Sequence, residues 1–300
     1  MRLLYVVLSI VVVAGSGCLS EAPAAPQTFN TALPVAQGEF VFRQQFFHRR
    51  AAGDPTPADR RLDVLGSISV LGYGVTRNLA AFVALPYLHK ELDQTTGGRR
   101  VTRDTTGLAD ARLFGRYTLL QRDAPGRTFR IAPLLGIETP TGNDDDRDRL
   151  GVLPAPLQPG SGSWDPFGGI VMTYQTLAYQ IDGQASYKLN TEANGFELGD
   201  EARLDGSIQY RVLPRELTSN VPGFLYAVLE GNLVHQAKNR IGGAADPDSG
   251  GTTFFVSPGI QYVTKRWIVE GLVQLPVSQD LNGSALEDDF IVRAGFRLNF

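Results

Sequence analysis

The chain has 300 residues, with 28 Lys and Arg against 31 Asp and Glu and a formal net charge of −3 at pH 7. This slightly acidic balance leaves no basic excess for the phosphates of a nucleic acid, so we expect no nucleic-acid partner. The single cysteine, Cys18, excludes an intramolecular disulfide.

The first residues have the pattern of a secretory signal. Arg2 precedes an apolar stretch over residues 3–14, and small residues follow. A membrane-spanning helix needs about 20 apolar residues, so this stretch is too short for one. We predict a signal peptide over residues 1–24, cleaved after export, with Cys18 either lipidated or lost with the signal. Residues 25–38 are rich in Pro and Ala without periodicity, and we predict a periplasmic linker or a plug segment.

From residue 39 onward, apolar and polar residues alternate with a period of two. In residues 177–190, for example, Tyr179, Ile181 and Tyr187 fall on one face while Gln180 and Asp182 fall on the other. About twelve such blocks follow one another, and they are longer than the five or six residues usual in soluble sheets. We therefore predict an all-β domain over residues 39–300, a transmembrane antiparallel up-and-down β-barrel of about 12 strands.

The connections between these blocks alternate in length. Short ones lie near residues 76–78, 175–176 and 264–266, and long ones near 91–107, 140–163 and 238–251. Transmembrane barrels have short periplasmic turns and long external loops, so this alternation favours an outer-membrane barrel in a Gram-negative bacterium. The same residue alternation also fits a soluble β-sandwich, with the inner and outer faces exchanged.

Two further features favour the membrane interpretation. Tyrosines lie near the ends of the apolar faces, as in the aromatic girdles of barrels. The chain also ends on an apolar alternation typical of the signal read by the barrel-assembly machinery, formed by Phe296, Leu298 and Phe300. We thus expect contacts with outer-membrane lipid, with lipopolysaccharide and with that machinery.

The opposite face of the blocks carries charged and amide side chains, which we predict to line the lumen. The predicted lumen residues are Arg112, Arg116, Asp182, Gln184, Lys188, Arg203, Asp205, Arg211, Glu230, Glu270, Gln274, Arg293 and Arg297. Positive and negative charges nearly balance, which indicates weak ion selectivity. These residues either line a solute path or fill and rigidify the barrel. Counting back from the last loop predicts Glu270 opposite Arg297 and Gln274 opposite Arg293.

The chain shows no pattern of residues for catalysis or metal binding. His48, His89 and His235 fall on different predicted strands, so we expect no metal cluster or catalytic set. The acidic run at residues 144–149 lacks the glycine and glutamate of a calcium loop, which favours a solvated external loop. We expect a protein that is not an enzyme and has no cofactor.

Several segments resemble the outer-membrane family named for the meta pathway of phenol degradation. They are YGVTRNL (73–79), LPY (85–87), GLAD (107–110), PTG (140–142), GSGSWDP (160–166) and LPVSQDLNG (275–283). Ala109 stands where the family often has Gly. The resemblance implies a passive channel or transporter for small, hydrophobic or aromatic compounds. The alternative is a non-conducting barrel with a structural or anchoring role.

Overall fold

The computed structural model describes residues 24–216 and 221–300. The predicted signal peptide, apart from its last residue, and Cys18 lie outside the described residues. Within the described ranges, no helix has the length and apolar character needed to cross a membrane.

Twelve strands form one closed barrel. Their bounds are β1 Phe40–Gly53, β2 Arg61–Gly74, β3 Leu79–Thr96, β4 in three consecutive segments (Arg99–Leu108, Ala111–Tyr117 and Leu120–Ala124), β5 Arg127–Thr139, β6 Asp165–Thr176, β7 Tyr179–Lys188, β8 Glu201–Leu213, β9 Phe224–Gln236, β10 Gly251–Val263, β11 Trp267–Leu281 and β12 Glu287–Asn299. Each strand pairs antiparallel with its neighbours in sequence, and β12 pairs with β1. The predicted up-and-down barrel of about 12 strands is confirmed.

The seam between the first and last strands is fully paired. Its register runs from Val41 opposite Asn299 to Arg50 opposite Phe290. At its end, the Phe40 amide donates to the Phe300 carbonyl at 2.6 Å and the Phe300 amide donates back at 3.0 Å. In hydrocarbon each unsatisfied backbone group costs several kcal/mol, so closure at this seam removes the edge that an open sheet would expose.

The two ends of the barrel differ, and we call them the short-turn rim and the long-loop rim. The short-turn rim carries the connections at residues 75–78, 125–126, 177–178 and 264–266, together with both ends of the barrel domain. The long-loop rim carries those at residues 140–164, 189–200 and 237–250. The predicted long connection at residues 91–107 is wrong. There β3 and β4 extend as a hairpin that turns at Gly97 and Gly98, whose positive φ values of 58° and 73° suit a tight turn.

The outer face of the barrel is apolar and the interior is polar. Leu135 and Leu204, on the outer face, are 74% and 60% exposed, whereas Gln209 and Gln261, on the inner face, are fully buried. A soluble protein has the reverse distribution, because apolar side chains leave water when it folds. The β-sandwich alternative is therefore wrong: the described strands form a single ring with its apolar side outward.

The predicted pairing of β11 with β12 is wrong by two residues. Glu270 lies opposite Gly295, and Arg293 lies opposite Leu272. The prediction counted back from the last loop as if β11 were regular. β11 is instead irregular beyond Gln274: its ladder with β12 runs only as far as Gln274 opposite Ile291, and its register against β10 shifts by one residue between Pro276 and Ser278, as in a β-bulge.

Asp54 organises the loop between β1 and β2 at the long-loop rim. Its carboxylate accepts hydrogen bonds from the backbone amides of Thr56 at 3.1 Å and Arg60 at 2.6 Å, and from the Arg60 side chain at 2.7 Å. The Arg60 hydrogen bonds hold the pKa of Asp54 well below its usual range. Arg60 also donates to the Ser284 carbonyl in the β11–β12 loop. This contact joins the two loops on either side of the seam strands.

We expect Asp54→Asn to release this loop. The charged acceptor is lost, so the Thr56 and Arg60 amides should exchange hydrogen at least about tenfold faster at pH 7. A lowered carboxylate pKa gives stability that is present above the usual pKa of about 4 and is lost only as pH falls through the lower value. The wild-type amides should therefore stay protected at pH 4. Asp59→Asn, at an exposed position in the same loop, is the control. Equal exchange in both variants would contradict the role of Asp54.

Candidate functional site: the lumen

Residues 24–38 lie inside the barrel, and we call them the lumen segment. The segment meets β2 at the short-turn rim, where Gln37 bridges to Gly74 and the Gly38 amide donates to the Gly74 carbonyl at 2.8 Å. A Cβ atom at Gly74 would lie 2.0 Å from the Ala36 carbonyl oxygen. Gly74, in the first resemblance motif, is thus required where the segment passes the barrel wall.

Glu230 of β9 is the main anchor of the lumen segment. Its carboxylate accepts hydrogen bonds from the Gln27 amide at 2.6 Å, from the Thr28 amide at 3.1 Å and from the Thr28 hydroxyl. Glu230 is 1% exposed, and Asn232 donates to the same hydroxyl at 2.8 Å. Two adjacent backbone amides and a hydroxyl thus converge on one buried carboxylate, the type of charge-assisted contact that fixes an irregular chain.

Amide and hydroxyl side chains satisfy the rest of the segment's backbone. The Gln184 side-chain oxygen accepts from the Asn30 amide at 3.1 Å, and the Thr173 hydroxyl accepts from the Ala32 amide at 2.8 Å. The Gln261 and Gln45 side chains donate to the Ala25 and Gln27 carbonyls at 2.5 and 2.8 Å. Buried backbone without a regular structure needs such partners, and the inward face of the barrel provides them.

Small apolar residues let the segment lie close against one side of the wall. Ala32 is fully buried against Ala132, Leu134 and Val171. Ala24 packs in the same way against Val263 and Ile268. With the bonds to Gln184 of β7 and Glu230 of β9, these contacts on β5, β6, β10 and β11 hold the segment along the part of the wall from β5 to β11. Gln45 of β1 and Arg116 of β4 reach it from the other part.

The predicted lumen residues all lie on strand positions whose side chains face the interior, and they form three groups. Gln184, Glu230 and Arg116 bond the lumen segment directly. Asp182 and Glu270 bond Thr173 and Gln45, which in turn bond the lumen segment. The others bond side chains of the wall or line the cavity. Arg112 and Lys188 bond Glu138, Arg203 bonds Asp205, and Arg293 bonds Gln274. Arg211 lies over the Phe224 ring, and Arg297 lines the cavity.

The lumen charges pair differently from the sequence prediction. Glu270 pairs with Arg43 of β1 at 2.7 Å. Gln274 and Arg293 do touch, because Arg293 Nε donates to the Gln274 oxygen at 2.7 Å, but across the diagonal of the register. The Glu138 carboxylate forms ion pairs with both Arg112 and Lys188, the second at 3.1 Å.

The residues that hold the segment by neutral hydrogen bonds are not among the predicted lumen residues. Gln45, Thr173, Asn232 and Gln261 are all inward-facing and nearly or fully buried. Strand parity would have placed them on the polar face. No sequence pattern indicates that their partner is a backbone far away in the chain.

A cavity of about 350 Å³ remains between the lumen segment and the opposite wall. The segment contributes Phe29 and Leu33 among others, and the wall contributes residues of β1 to β4, β6 and β12. The wall side chains at this cavity are Val41, Arg43, Gln45, Val70, Phe82, Phe114, Arg116 and Arg297. A volume of this size lies at the lower end of the range of ligand pockets. The cavity can hold one small molecule with an apolar body.

Three resemblance motifs meet at one junction on the long-loop rim. The Asp110 carboxylate accepts hydrogen bonds from the Gly142 amide at 2.9 Å and the Ser161 amide at 2.6 Å. A Cβ atom at Gly160 would lie 2.6 Å from the Gly142 backbone, so the two glycines allow the loop ends to touch. The junction ties both ends of the loop at residues 140–164 to β4. The acidic run in this loop is also bonded: Asp148 pairs with Arg103 at 2.7 Å.

The three histidines lie apart and have different partners. His48 pairs with Asp63 at 2.9 Å, while His89 and His235 bond Thr106 and Thr252. Over residues 24–216 and 221–300, no three His, Cys, Asp or Glu side chains are grouped so that they could hold a metal ion.

A closed ring of twelve strands, apolar outside and polar within, defines a transmembrane β-barrel of the outer-membrane type. The family described as "Putative MetA-pathway of phenol degradation" matches residues 55–278, and the chain belongs to that family. The predicted resemblance is thereby confirmed.

Solved structures share the fold at low sequence identity. An outer-membrane channel from Pseudomonas putida F1 is similar with a TM-score of 0.67 and 15% identity, over 93% of this chain and 100% of that one. The transport unit of the autotransporter AIDA-I from Escherichia coli has a TM-score of 0.50 and 12% identity, over 87% and 90% of the two chains. No curated protein matches the chain.

Proposed function

We propose that the protein is a passive channel through which small, hydrophobic or aromatic compounds cross the outer membrane. The observation that carries this proposal is the partly filled lumen: the segment occupies one side and leaves a cavity lined by Phe29, Phe82 and Phe114 on the other. A barrel that served only as an anchor would gain stability from a filled interior and would have no need for this space. The family's association with phenol degradation agrees with an aromatic solute.

The lumen segment is the plug of this channel in our proposal. Residues 25–38 then form part of the mature protein, and the signal peptide ends near residue 24. The segment buries small apolar residues and the side chains of Phe29 and Leu33, and its backbone is held by hydrogen bonds to side chains such as Glu230 and Gln184. A segment held this way can exchange its partners for water and move locally, while the barrel wall stays intact.

The membrane context completes the proposal. The short-turn rim faces the periplasm and the long-loop rim faces outward, in contact with lipopolysaccharide. The terminal residues Phe296, Leu298 and Phe300 serve as the signal for the barrel-assembly machinery. Phe300 stacks on Phe40 across the seam with ring centroids 5.8 Å apart, which supports a role at the closing step of assembly.

Solute flux into vesicles tests the channel function. Refolded full-length protein in liposomes should admit small neutral aromatic alcohols faster than protein-free liposomes, and should exclude disaccharides. The alternative, a non-conducting structural barrel, predicts no flux above the protein-free rate. Absence of flux both for the full chain and for a variant without residues 25–36 would overturn the proposal.

A further inference from the structure

Arg116 is a buried cation at the edge of the lumen cavity. The residue is 6% exposed, and one guanidinium nitrogen donates to the Leu33 carbonyl at 2.6 Å. Among the described residues, no carboxylate forms an ion pair with it, whereas Arg43 and Arg112 each have one. A guanidinium carries five N–H donors, and a buried charge without a counterion is costly. The cavity is thus built around a cation that favours a mobile anion.

Aromatic rings flank this cation. The Arg116 guanidinium lies 5.0 Å from the centroid of the Phe82 ring. Phe82 in turn stacks on Phe114 with centroids 4.8 Å apart and planes at 11°. Phe29 of the lumen segment lines the same cavity. A flat ring can pack against such surfaces while a charged group on it reaches the guanidinium.

The charges around the cavity are arranged unevenly, although their sum is close to zero. Arg43, Arg116 and Arg297 line it, against Glu39 at the short-turn rim. Glu270 lies beside the cavity and is bonded to Arg43 by two guanidinium nitrogens at 2.9 and 2.7 Å. Counting Glu270 and Asp182, whose charge acts on Arg116 through space, three cations face three carboxylates, so the attraction of an anion is local to the guanidinium of Arg116.

We propose that this cavity binds a small aromatic carboxylate, with the ring against Phe82 and Phe114 and the carboxylate on Arg116. The proposal deepens the channel function and rests on it, because it names the class of solute that pauses beside the plug. A single ring with one acid group suits a volume of about 350 Å³.

Calorimetric titration of benzoate into the refolded full-length protein in detergent tests this site. Arg116→Gln keeps a donor for the Leu33 carbonyl but removes the charge, and benzoate affinity should fall at least about tenfold. Arg116→Lys keeps a positive charge and should retain part of the benzoate affinity. The matched control is Arg112→Gln, on the same strand and face but paired with Glu138, which should bind benzoate as the wild type does. Heat-dependent gel mobility verifies that each variant is folded.

The outcomes separate this inference from the channel proposal. The inference is overturned if the wild type does not bind benzoate, if Arg116→Gln binds it equally well, or if Arg112→Gln weakens binding as much. If neutral aromatic alcohols still cross the vesicles in those cases, the channel function stands alone. Benzoate binding that depends on Arg116, without flux of any solute, supports the site and overturns the channel.

Discussion

Deletion of residues 25–36 is expected to raise the single-channel conductance of the barrel at least about threefold, because the segment fills one side of a twelve-stranded lumen. The segment contacts the wall by hydrogen bonds to inward side chains and by the packing of its buried apolar residues, while all twelve strands pair with one another to close the wall. The barrel should thus still fold without it. Planar-bilayer recordings of the refolded variant measure the change.

Substitutions at the anchor should give a graded version of the same effect. Glu230→Ala removes the acceptor of two backbone amides and should increase the frequency of large openings. Glu201→Ala is the matched control, since this carboxylate lies at the long-loop end of β8 and its ion-pair partner is Arg203. A deletion variant with the conductance of the wild type would show that the segment does not limit the pore.

Arginine on the outer face at mid-barrel should destabilise the protein strongly. Ile208 lies in the middle of β8, between Ile181 and Leu229 on the neighbouring strands, and is 43% exposed. If this face meets hydrocarbon, Ile208→Arg costs about 2–4 kcal/mol of unfolding free energy. Leu213→Arg, on the same strand at the short-turn rim, should cost about 0–1 kcal/mol.

Urea titrations of refolded protein in lipid vesicles compare these two variants. The depth dependence is the informative quantity, because a general intolerance of arginine would affect both positions equally. If Ile208→Arg is no less stable than Leu213→Arg, the outer face at this level does not contact hydrocarbon.

The strands of this protein could be predicted because each carries a local signal. The alternation around Tyr179 and Ile181 depends only on which face meets lipid, and β7 follows it along its whole length. The same holds at Phe296 and Leu298, which lie outward on β12 with their inward neighbour Arg297 facing the lumen. The number of strands, and which residues of each strand face outward or into the lumen, could therefore be predicted from the sequence alone.

The features that were missed depend on contacts between distant parts of the chain. The predicted β11–β12 register failed because β11 is irregular near Val277, where its pairing with β10 shifts by one residue and the inward positions change from even to odd numbers. The long hairpin of β3 and β4 continues through Thr95 and Thr102, polar positions that look like a loop. The lumen segment has no periodicity, since its backbone bonds to side chains such as Glu230 rather than to a neighbouring strand.

The central claim is that alternate residues of each strand face lipid and lumen. Spin labelling of β8 tests this claim most directly. Single cysteines are introduced at each position from 202 to 210, with Cys18 replaced, and the labelled protein is reconstituted in lipid vesicles. We predict that accessibility to oxygen peaks at Leu204, Gly206 and Ile208, whereas labels at Asp205, Ser207 and Gln209, which are buried in the lumen, are shielded from oxygen. An accessibility without period two, or one with the two sets exchanged, would contradict the barrel as described.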